Sequence, residues 1–506
     1  MKKEPRKTYI TTTLPYANST PHMGHAFEFV LADVIARRKR KYKKVGLQEQ
    51  VFFNIGLDQH GSKIADAANG DNFFGQPAMP IPVYLAKLTE LWKEFCSGFD
   101  ISYDNFYETS SSAHHQHVKE QFEFLREIGD IYEKDYEGTY CTGCEAYKRA
   151  SDLVEGRCPD HPTLHLDMLK ERNWFFKLTK YKAPAWYKKE GWLVPATKMG
   201  EFYHLLNTAE DIPVTRPKSR AKWGVAVPEC EDQLVYVWFD ALLNYMFAPL
   251  THGQDWNEYD ERIQICGPDN LRFQGIIWQT MLKSLDMEHT DKLLVHGTIL
   301  DQAGRKMSKT IKNVIDPMEQ LQKYGKDAVR YYLAAGLSTW SDSCYSEEQL
   351  IHVCNSDLGD NYGNLVSRVA ALLKRFELKP RLAGSLWYPS SYAYHDELDN
   401  AFSLLDQYKF NEAVIAVNAI LKDANRYINE AKPWSAKNPI QKNVELTEEV
   451  FNENRKRENA EAVVLELAEL LSAVSDFYSC FVPDVAKRAM DLLRNGEGPV
   501  PFPKIV

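Results

Sequence analysis

Two short runs of β-branched and aromatic residues near the start of the chain predict buried strands. The first run is Thr8–Tyr16 and the second is Val51–Ile55, and their composition is typical of strands in a packed sheet. Between them, residues 25–44 contain no glycine or proline, and apolar positions give way to a basic end, which predicts a helix. Strand, helix and strand joined by short turns predict the start of a parallel α/β sheet.

The middle of the chain has a different pattern. Residues from about 116 to 226 hold a cluster of cysteines and then helical and aromatic segments, and strand-like runs return at 234–238, 263–266 and 293–296. This order predicts an insertion between two halves of one sheet. The expected boundaries are 1–115 for the first half, 116–226 for the insertion and 227–345 for the second half.

The last part of the chain, residues 346–506, is predicted to be a helical domain. Its long helical segments are expected at 351–377, 396–431 and 454–493, separated by loops that carry proline or glycine. The final residues, Pro499–Lys504, include three prolines and cannot form a regular helix, so they are expected to form a terminal arm.

Composition is that of a soluble globular protein. Hydrophobic residues make up 44% and charged residues 26% of the 506 residues, which argues against disorder. No stretch approaches the roughly 18–20 uninterrupted apolar residues of a membrane helix, and no apolar signal-peptide core follows the charged N-terminus. We therefore expect a cytoplasmic protein with no membrane partner.

The net charge of the chain bears on whether it binds a polyanion such as a nucleic acid. The chain has 61 Lys plus Arg against 70 Asp plus Glu, a formal charge of −9, which by itself argues against a polyanionic partner. Local fields, however, decide binding. Residues 37–44 contain seven basic side chains in eight, and this run is either a local site for RNA or the solvated end of a helix.

Three of the nine cysteines lie in a pattern typical of a metal site. Cys141-Thr-Gly-Cys144 and Cys158-Pro-Asp-His161 are two half-sites thirteen residues apart, a spacing that suits tetrahedral Zn²⁺. The alternatives are a disulfide, disfavoured in a cytoplasmic chain, and iron held by four thiolates, disfavoured by the histidine. Since all four ligands come from the protein, we expect one structural zinc per chain, which would stabilise the insertion.

Two further motifs suit a triphosphate. His22-Met-Gly-His25 follows the first predicted strand at the mouth of a helix, where helix amides attract anions, imidazoles donate to phosphate oxygens and Gly24 allows a flat base to approach the backbone. Gly304-Arg-Lys-Met-Ser-Lys-Thr310 is a basic loop after a later strand. Taken alone, the tetrapeptide is a weak signal, and two surface histidines are the alternative.

The two motifs, in this order on opposite halves of a split sheet, resemble the "HIGH" and "KMSKS" signatures of class I aminoacyl-tRNA synthetases. Other segments, spread over essentially the whole chain, resemble the methionyl-tRNA synthetases of that class. The resemblance implies an α/β fold: a Rossmann-like parallel-sheet catalytic domain, split by a connective-peptide insertion with a zinc knuckle and followed by an α-helical anticodon-binding bundle. Besides the cysteine cluster, the matching segments are 13–18, 58–61, 236–241, 267–273, 357–368 and 431–434.

The resemblance implies a two-step ligase reaction that needs no covalent enzyme nucleophile. The carboxylate of L-methionine attacks the α-phosphate of ATP, giving methionyl-adenylate and pyrophosphate, and methionine then passes to the 3′ end of tRNA(Met) for initiation and elongation. Catalysis then consists of positioning and charge stabilisation. Mg²⁺ is expected to accompany ATP. The implied ATP site is His22, Gly24, His25, Lys306, Ser308 and Lys309, with the two histidines and two lysines as catalytic residues.

The resemblance also implies a methionine pocket and an anticodon surface. In the pocket Asp58 pairs with the α-ammonium group, while the aromatic and apolar residues form an aromatic box around the thioether. The implied pocket is Leu14, Tyr16, Asp58, Trp238, Ala241, Leu242, Tyr245, Asp269, Gln274 and Trp278. The residues implied to recognise the CAU anticodon are Asn364, Arg368 and Trp434, which suit stacking and hydrogen bonding to unstacked bases.

Three positions depart from the family pattern. Gln274 stands where the family commonly has histidine, so that position can form hydrogen bonds but carries no charge. Gln59 replaces an often acidic neighbour of Asp58, and Thr310 replaces the last serine of the loop signature while keeping a hydroxyl. These departures leave every group that the mechanism needs.

Two alternative functions fit the sequence less well. A class I synthetase for cysteine, leucine, isoleucine or valine is disfavoured by the cysteine cluster, the aromatic box and the lack of a large editing insertion. A catalytically inactive RNA-binding paralogue is disfavoured because the residues of both signature motifs are intact. Since the sequence has no appended dimerisation domain after the helical segment, we expect a monomer.

Overall fold

A computed structural model provides the structure of the protein. It describes residues 5–41, 43–44, 47–70, 75, 77–143, 146–148, 152–159, 162–182, 186–307, 313–382, 394–437 and 448–505. Five predicted or discussed site residues lie outside the described residues: Cys144, His161, Ser308, Lys309 and Thr310.

The described ranges contain strands in both halves of the predicted catalytic domain and in the segment between them. They are β1 (Lys7–Thr11), β2 (Lys43–Lys44), β3 (Leu47–Gln48), β4 (Gln50–Leu57), β5 (Asn105–Glu108), β6 (Ile131–Cys141), β7 (Ala146–Lys148), β8 (Asp167–Phe176), β9 (Leu193–Val194), β10 (Ile212–Pro213), β11 (Thr215–Pro217), β12 (Ala226–Val227), β13 (Cys230–Val235), β14 (Glu261–Cys266), β15 (Lys292–Val295), β16 (Ile299–Leu300) and β17 (Ser343–Cys344).

Helices occur throughout the described ranges and dominate after residue 345. They are α1 (Met23–Lys41), α2 (Ser62–Ala68), α3 (Ile81–Gly98), α4 (Ser112–Glu127), α5 (Met199–Thr208), α6 (Lys218–Ala221), α7 (Val237–Phe247), α8 (Trp278–Ser284), α9 (Pro317–Tyr324), α10 (Lys326–Tyr331), α11 (Glu347–Cys354), α12 (Asn364–Phe376), α13 (His395–Asp406), α14 (Phe410–Ala431), α15 (Glu448–Tyr478) and α16 (Pro483–Asn495). None of the helices in these ranges is long and apolar enough to cross a membrane.

The central sheet is parallel throughout, which confirms the predicted fold class at this level. Its six strands lie in the order β5-β4-β1-β14-β15-β9, and every neighbouring pair is parallel. The chain leaves β1 for β4 on one side and later returns to β14 on the other. In open parallel sheets such a reversal creates a crevice outside the carboxyl ends of the strands, where ligands bind.

Alternate residues of the central strands enter two separate apolar cores. Ile10 and Phe53 face the core shared with α1 and the C-terminal helices. Their neighbours Tyr9 and Phe52 face a second core, shared with α4, α7 and α8. This alternation follows from the two-residue period of a strand, and it explains why the central strands are apolar on both faces.

The middle segment forms an antiparallel unit. A four-stranded sheet in the order β10-β8-β6-β7 carries Cys141 at the end of β6, and β11, β13 and β12 form a smaller antiparallel sheet. Strand β9, which lies within residues 116–226, pairs with β15 as the edge strand of the central sheet. The chain of this segment therefore returns once to the catalytic sheet.

The predicted strand at 234–238 is partly wrong. Strand β13 ends at Val235 and helix α7 begins at Val237. A short apolar run does not distinguish a strand from a buried helix by periodicity. Here the buried carboxylate of Asp240, in the first turn of α7, accepts contacts from two histidines that only the tertiary fold supplies.

The C-terminal part is helical, as predicted, but two of the expected segments are each divided. The segment 396–431 is interrupted between α13 and α14, where Tyr408 has a φ of +64°. The segment 454–493 is interrupted before Pro483, the first residue of α16. Proline cannot continue a helix across its own position, because it lacks the N–H that would bond to the preceding turn.

The basic run 37–44 is used inside the protein as far as residue 41. The side chains of residues 37–41 all form ion pairs with acidic residues and are at most 32% exposed, so they are neither a solvated helix end nor an open RNA site. The pairs are Arg37–Asp33 2.7 Å, Arg38–Asp406 2.7 Å, Lys39–Glu261 2.7 Å, Arg40–Asp104 2.7 Å and Lys41–Asp476 2.9 Å.

A buried arginine completes the junction between α1 and the helical domain. Arg330 in α10 forms an ion pair with Asp33 of α1 at 2.7 Å, and both side chains are fully buried. The same guanidinium donates to the carbonyl oxygens of Phe99, Cys480 and Phe481 at 2.9–3.1 Å. Burial alone would raise the pKa of Asp33, but the two adjacent guanidinium groups lower it.

Candidate active site

Several predicted residues of the ATP site and the methionine pocket follow the carboxyl ends of β1, β4 and β14, which are neighbouring strands of the central sheet. The loops after β1 and β4 are joined, because the Asp58 amide donates to Pro15 O at 2.9 Å and the Ala17 amide donates to Asp58 O at 2.8 Å. Asp58 is buried, and Leu14 and Tyr16 are half-buried beside it. The joined loops therefore form one wall of the crevice, and Asp58 is buried at this wall.

A buried glutamate supports this wall from below and was missed in the sequence. Glu28, on α1, accepts hydrogen bonds from the Thr13 amide at 2.7 Å and from the Thr13 hydroxyl at 2.6 Å. Its second oxygen lies 3.1 Å from His296 Nε2, just after β15. A lone glutamate in an apolar helix gave no sequence signal for this role.

The histidine motif is preorganised at the start of α1. The rings of His22 and His25 are stacked with centroids 3.6 Å apart. His22 Nδ1 accepts from the Gly24 amide at 3.1 Å, and His25 Nδ1 accepts from the His22 amide at 3.2 Å. A neutral imidazole whose Nδ1 is an acceptor carries its proton on Nε2, so both rings present an N–H donor.

The space at Gly24 is set by the neighbouring ring. A Cβ atom at this position would lie 2.9 Å from His22 Cε1, closer than real Cβ contacts. The glycine thus allows the stacked arrangement of the two histidines. His25 is further held by the edge of Trp92, with ring centroids 4.9 Å apart.

The base of the second signature loop is held by a carboxylate. Asp301, after β16, accepts from the Ala303 and Arg305 amides at 3.0 and 2.8 Å and from Asn313 Nδ2 at 2.8 Å. The bond from Asn313, followed by that from the Arg305 amide, lowers the pKa of Asp301. Asp301 and Asn313 were not predicted, since both are isolated polar residues in the sequence.

Lys306 and Asp269 meet at the rim of the crevice. Lys306 Nζ lies 2.5 Å from Asp269 Oδ2, and the two side chains are 61% and 73% exposed. Asp269, which follows β14, was assigned to the methionine pocket from the resemblance. In the structure its carboxylate lies at the rim and connects that loop to the signature loop.

The predicted aromatic box is assembled by α7 and by a wide π-helical turn before α8. The turn spans Phe273–Ile277, and turns of this type occur frequently at functional sites. Tyr245 and Trp278 are buried, and their rings meet edge to face with centroids 5.6 Å apart.

The other predicted residues of the box lie on α7. The ring of Trp238 stacks on that of Phe273, with centroids 4.2 Å apart. Ala241 and Leu242 are also buried. Trp256, which was not predicted, contacts the edge of Trp278 at 5.6 Å.

Gln274 is the end of a chain of three buried amides and one hydroxyl, here called the amide ladder: Gln264, Gln274, Gln279 and Thr290. Gln264 Nε2 donates to Gln274 Oε1 at 3.1 Å, and Gln274 Nε2 donates to the Tyr245 hydroxyl at 2.5 Å. The Thr290 hydroxyl donates to Gln264 Oε1 at 2.5 Å, and Gln279 Nε2 donates to Thr290 Oγ1 at 2.8 Å. The ladder fixes the orientation of Gln274 without any charged group.

The ladder also determines the role of the Tyr245 hydroxyl. Its oxygen accepts from Gln274, and burial raises the pKa of Tyr245, so the phenol stays protonated. A hydroxyl whose oxygen already accepts one hydrogen bond can still donate its proton. Tyr245 can therefore offer a donor to a weak acceptor such as a thioether sulfur.

The loop after β4 is attached to α7 by a buried network of histidines. His60 Nδ1 lies 3.1 Å from Asp240 Oδ2, and His114 Nε2 lies 3.4 Å from Asp240 Oδ1. His60 Nε2 also contacts His115 Nε2 at 2.9 Å. The network joins the loop of Asp58 to the helix that carries the aromatic box.

The charge states in this network follow from burial and contact. Burial would raise the pKa of Asp240, but the adjacent His60 and His114 lower it. Burial lowers the pKa of His114, and burial followed by the charge of His60 lowers the pKa of His115 to about 4. His114 and His115 lie in a polar helix with no sequence motif around them, so only their tertiary contacts reveal this role.

Gln59 faces away from the crevice. Its Nε2 donates to Thr89 Oγ1 at 3.0 Å, and its Oε1 accepts from Ser110 Oγ at 2.5 Å. Its backbone oxygen accepts from Trp223 Nε1 at 2.9 Å. The departure from the family at this position therefore lies among residues that support the loop.

Two of the four predicted metal ligands are described. Cys141 and Cys158 are both fully buried, which fits a metal site closed to solvent. Lys63, on α2, donates to Gly143 O at 2.6 Å and so attaches the first half-site to the catalytic domain. Among the residues that the structure describes, no group of three or more His, Cys, Asp and Glu could hold a metal ion.

The predicted anticodon residues lie on one surface of the helical domain. The Arg368 guanidinium lies 5.4 Å from the ring centroid of Trp434, which is 41% exposed. Asn364 is exposed four residues earlier on α12, and residues i and i+4 of a helix share a face. Asn429, not predicted, accepts from Arg368 Nη2 at 2.6 Å and orients the guanidinium.

Comparisons with known proteins give one consistent result. The chain matches the family model "tRNA synthetases class I (M)" over residues 8–167 and 163–370. It is 34% identical over 455 residues to a methionine–tRNA ligase of Deinococcus radiodurans, covering 86% of this chain and 64% of the relative. It is 32% identical over 504 residues to one of Caldanaerobacter subterraneus, covering 96% of this chain and 73% of the relative.

A solved structure supports the same comparison. The methionyl-tRNA synthetase of Mycobacterium tuberculosis, in complex with methionyl-adenylate, is similar to this chain with a TM-score of 0.82 and 26% identity. The similarity covers 96% of this chain and 93% of that chain.

Proposed function

The chain belongs to the class I methionyl-tRNA synthetases, and we propose that the crevice at the carboxyl ends of β1, β4 and β14 is its active site. The reaction is that of a methionine–tRNA ligase: methionine is activated with ATP and then transferred to tRNA. The observation that supports this assignment is the topology: the stacked histidines follow β1, Asp58 follows β4, and the π-helical turn that leads to Trp278 follows β14, at the same edge of the parallel sheet.

Methionine is held at both ends. The buried carboxylate of Asp58 pairs with the α-ammonium group, because a cation entering a buried site requires a compensating charge. The side chain enters the box formed by Tyr245, Trp238 and Trp278. The Tyr245 hydroxyl, oriented by Gln274, donates to the thioether sulfur and distinguishes methionine from leucine, which has no acceptor.

Activation proceeds by positioning and charge stabilisation. A carboxylate oxygen of methionine attacks the α-phosphorus of ATP, the bond from that phosphorus to the bridging oxygen breaks, and pyrophosphate leaves. The Nε2–H groups of His22 and His25 donate to phosphate oxygens as negative charge moves onto the leaving group. Preorganised donors of this kind are effective because they need no reorganisation during the reaction.

The signature loop neutralises the leaving pyrophosphate. Lys306 is at the rim of the crevice, where Asp269 holds it, and exchanges that partner for a phosphate oxygen when ATP binds. We assign the same task to Lys309. ATP enters with Mg²⁺, which neutralises part of the triphosphate charge.

Transfer uses the adenylate as an activated acyl donor. A ribose hydroxyl at the 3′ end of tRNA attacks the methionyl carbonyl carbon, an ester forms, and AMP leaves with the electrons of the broken anhydride bond. Recognition of the tRNA is assigned to Asn364, Arg368 and Trp434. The proximity of the guanidinium and the indole supports this, because both planes can stack on unpaired bases.

The zinc site is proposed to be structural. Cys141, Cys144, Cys158 and His161 would hold the ion, which would supply a cross-link with no open coordination position. Burial of Cys141 and Cys158 supports the assignment. Elemental analysis should find about one zinc per chain, and removal of the metal should lower the melting temperature.

Methionine-dependent exchange of labelled pyrophosphate into ATP tests the proposed activity. We expect exchange with methionine and far less with leucine, isoleucine, valine or cysteine at equal concentration. Stronger exchange with any of the other four amino acids, or no exchange with methionine, would contradict the assignment.

Trp434→Ala tests the tRNA surface separately. We expect kcat/KM for tRNA charging to fall about tenfold or more, since one stacked base contributes about 1–3 kcal/mol. Pyrophosphate exchange without tRNA should stay within twofold of wild type. An equal loss in both assays would show that Trp434 acts only through folding.

A further inference from the structure

One carboxylate closes the turn that leads into the signature loop. Asp301 is 8% exposed, and its Oδ1 accepts from the Ala303 amide at 3.0 Å and from the Arg305 amide at 2.8 Å. The main chain closes the same turn, because the Gly304 amide donates to Asp301 O and the Asp301 amide donates to Arg305 O, both at 2.9 Å. The peptide groups directly before Lys306 are therefore fixed by Asp301.

The other oxygen of Asp301 binds a residue that follows the signature loop in the chain. Asp301 Oδ2 accepts from Asn313 Nδ2 at 2.8 Å, and the same Nδ2 also donates to Lys306 O at 3.3 Å. An isolated antiparallel bridge joins Lys306 to Leu300, the last residue of β16. The main chain of Lys306 is thus held by the turn before it, by β16 and by Asn313.

The charge of Asp301 strengthens this arrangement. Hydrogen bonds to an ionised acceptor are roughly twice as strong as those between neutral groups. The bond from Asn313, followed by that from the Arg305 amide, lowers the pKa of Asp301, so the carboxylate stays ionised at neutral pH. The Arg305 side chain also pairs with Asp301 at 2.8 Å, but it is 59% exposed, and exposed ion pairs contribute little. The amides and Asn313 therefore carry the geometry.

We propose that Asp301 is a positioning residue for methionine activation, which together with Asn313 directs Lys306 towards the pyrophosphate that leaves ATP. The inference rests on the proposed function, which assigns Lys306 to those phosphates. The Lys306 side chain is 61% exposed and pairs with Asp269 at the rim of the crevice. Since a lysine side chain is flexible, the fixed main chain determines which region its ammonium group reaches. A charge stabilises the transition state most when it is already held where the new charge develops.

Asp301→Asn tests the proposal with almost no change of shape. The asparagine oxygen can still accept from the amides of the turn, but its NH2 group would face the donor of Asn313. We expect kcat for methionine-dependent pyrophosphate exchange to fall about tenfold to 100-fold, the scale of a small misplacement of a catalytic group. KM for methionine should stay within twofold, because ground-state binding of methionine is unaffected. A wild-type kcat in the folded variant would overturn the proposal, even if its melting temperature were lower.

A double-mutant cycle shows whether Asp301 acts through Lys306. In the Lys306→Ala background, Asp301→Asn should lower kcat less than threefold, because the group that it directs is absent. Equal factors of loss in the two backgrounds would mean that Asp301 supports the fold without directing Lys306, and the proposal would be wrong.

Two other variants complete the experiment. Asp316→Asn is the matched control: Asp316 accepts from the Met318 and Glu319 amides at the start of α9, asparagine still caps a helix, and kcat should stay within twofold. Asn313→Ala removes only the bonds across the loop and should lower kcat about threefold to tenfold, which keeps the test valid if Asp301→Asn folds poorly.

The outcomes separate the two levels of inference. If wild type shows no methionine-dependent exchange, the proposed function fails. If wild type exchanges normally while Asp301→Asn and Asn313→Ala keep its kcat, only the positioning role fails.

Discussion

The two ends of the proposed methionine pocket are built from opposite kinds of polar group. At the proposed ammonium end, Asp58 is a buried carboxylate, and a second one, Asp240, is paired with His60 and His114 behind the same loop. At the thioether end, the amide ladder leads to Tyr245 through neutral groups only. Both ends are buried and hydrogen-bonded, so they differ in charge and not in polarity.

The difference matches how strongly each part of methionine interacts with buried polar groups and so offsets their desolvation. An α-ammonium group loses its hydration on entering the pocket, and an anion offsets that cost. A thioether is only a weak hydrogen-bond acceptor. A charged residue beside it would therefore lose its hydration without gaining a comparable interaction. Neutral amides give direction to a donor at a smaller cost in desolvation.

Removal of the charge at the ammonium end should have the largest effect. Asp58→Asn keeps the shape but leaves the buried ammonium without its counter-charge, a loss of about 2–5 kcal/mol. We expect kcat/KM for methionine in pyrophosphate exchange to fall about 100-fold or more. Asp66→Asn is the control, because Asp66 is paired with Lys222 at the surface, and it should remain within twofold. A small effect of Asp58→Asn would mean that the two ends do not differ in the way described.

Introduction of a charge at the thioether end should have the next largest effect. Gln274→Glu puts a carboxylate in the amide ladder, and we expect KM for methionine at pH 8 to rise about 10- to 50-fold. Burial raises the pKa of a carboxyl group, so the neutral form increases as the pH falls and KM should partly recover near pH 6. The exposed Gln116→Glu is the control. A KM that does not change with the substitution would show that the neutrality of this end is unimportant.

The histidines at the ammonium end should give a smaller effect on stability. The folded-state pKa of His115 is lowered to about 4, against about 6.5 when unfolded. The unfolded state therefore binds the proton more readily, and this histidine destabilises the fold progressively as the pH falls from about 7 to about 4. His115→Gln should reduce the loss of unfolding free energy over this range by about 1 kcal/mol, allowing for solvent screening. Urea unfolding at pH 7 and pH 5 measures it, with His165→Gln as the control, because His165 is exposed.

Sequence patterns predicted the parts of the site that are contiguous in the chain. Strand–helix–strand order was enough to predict the parallel sheet, because connection rules leave few arrangements. The π-helical turn at Phe273–Ile277 and the start of α7 at Val237 were not predicted. Both depend on tertiary contacts of buried polar groups, which periodicity does not report.

The supporting residues could not be predicted for a related reason. Gln264, Gln279 and Thr290 come from a strand, a helix and a loop, and only folding brings them together. The basic run at 37–41 was misjudged because its acidic partners, such as Asp406 and Asp476, lie more than 360 residues away in the sequence. Charge counted along the chain does not reveal charge already neutralised in space.

Helix α1 also has a mechanical consequence. Its nineteen residues form a rod about 28 Å long, which starts within the stacked histidine motif and ends where Lys41 pairs with Asp476 in the helical domain. Arg330 clamps the rod midway at Asp33. A tilt of the helical bundle on binding the far end of a tRNA would therefore act through this rod on His22 and His25, unless the buried Arg330–Asp33 pair were broken.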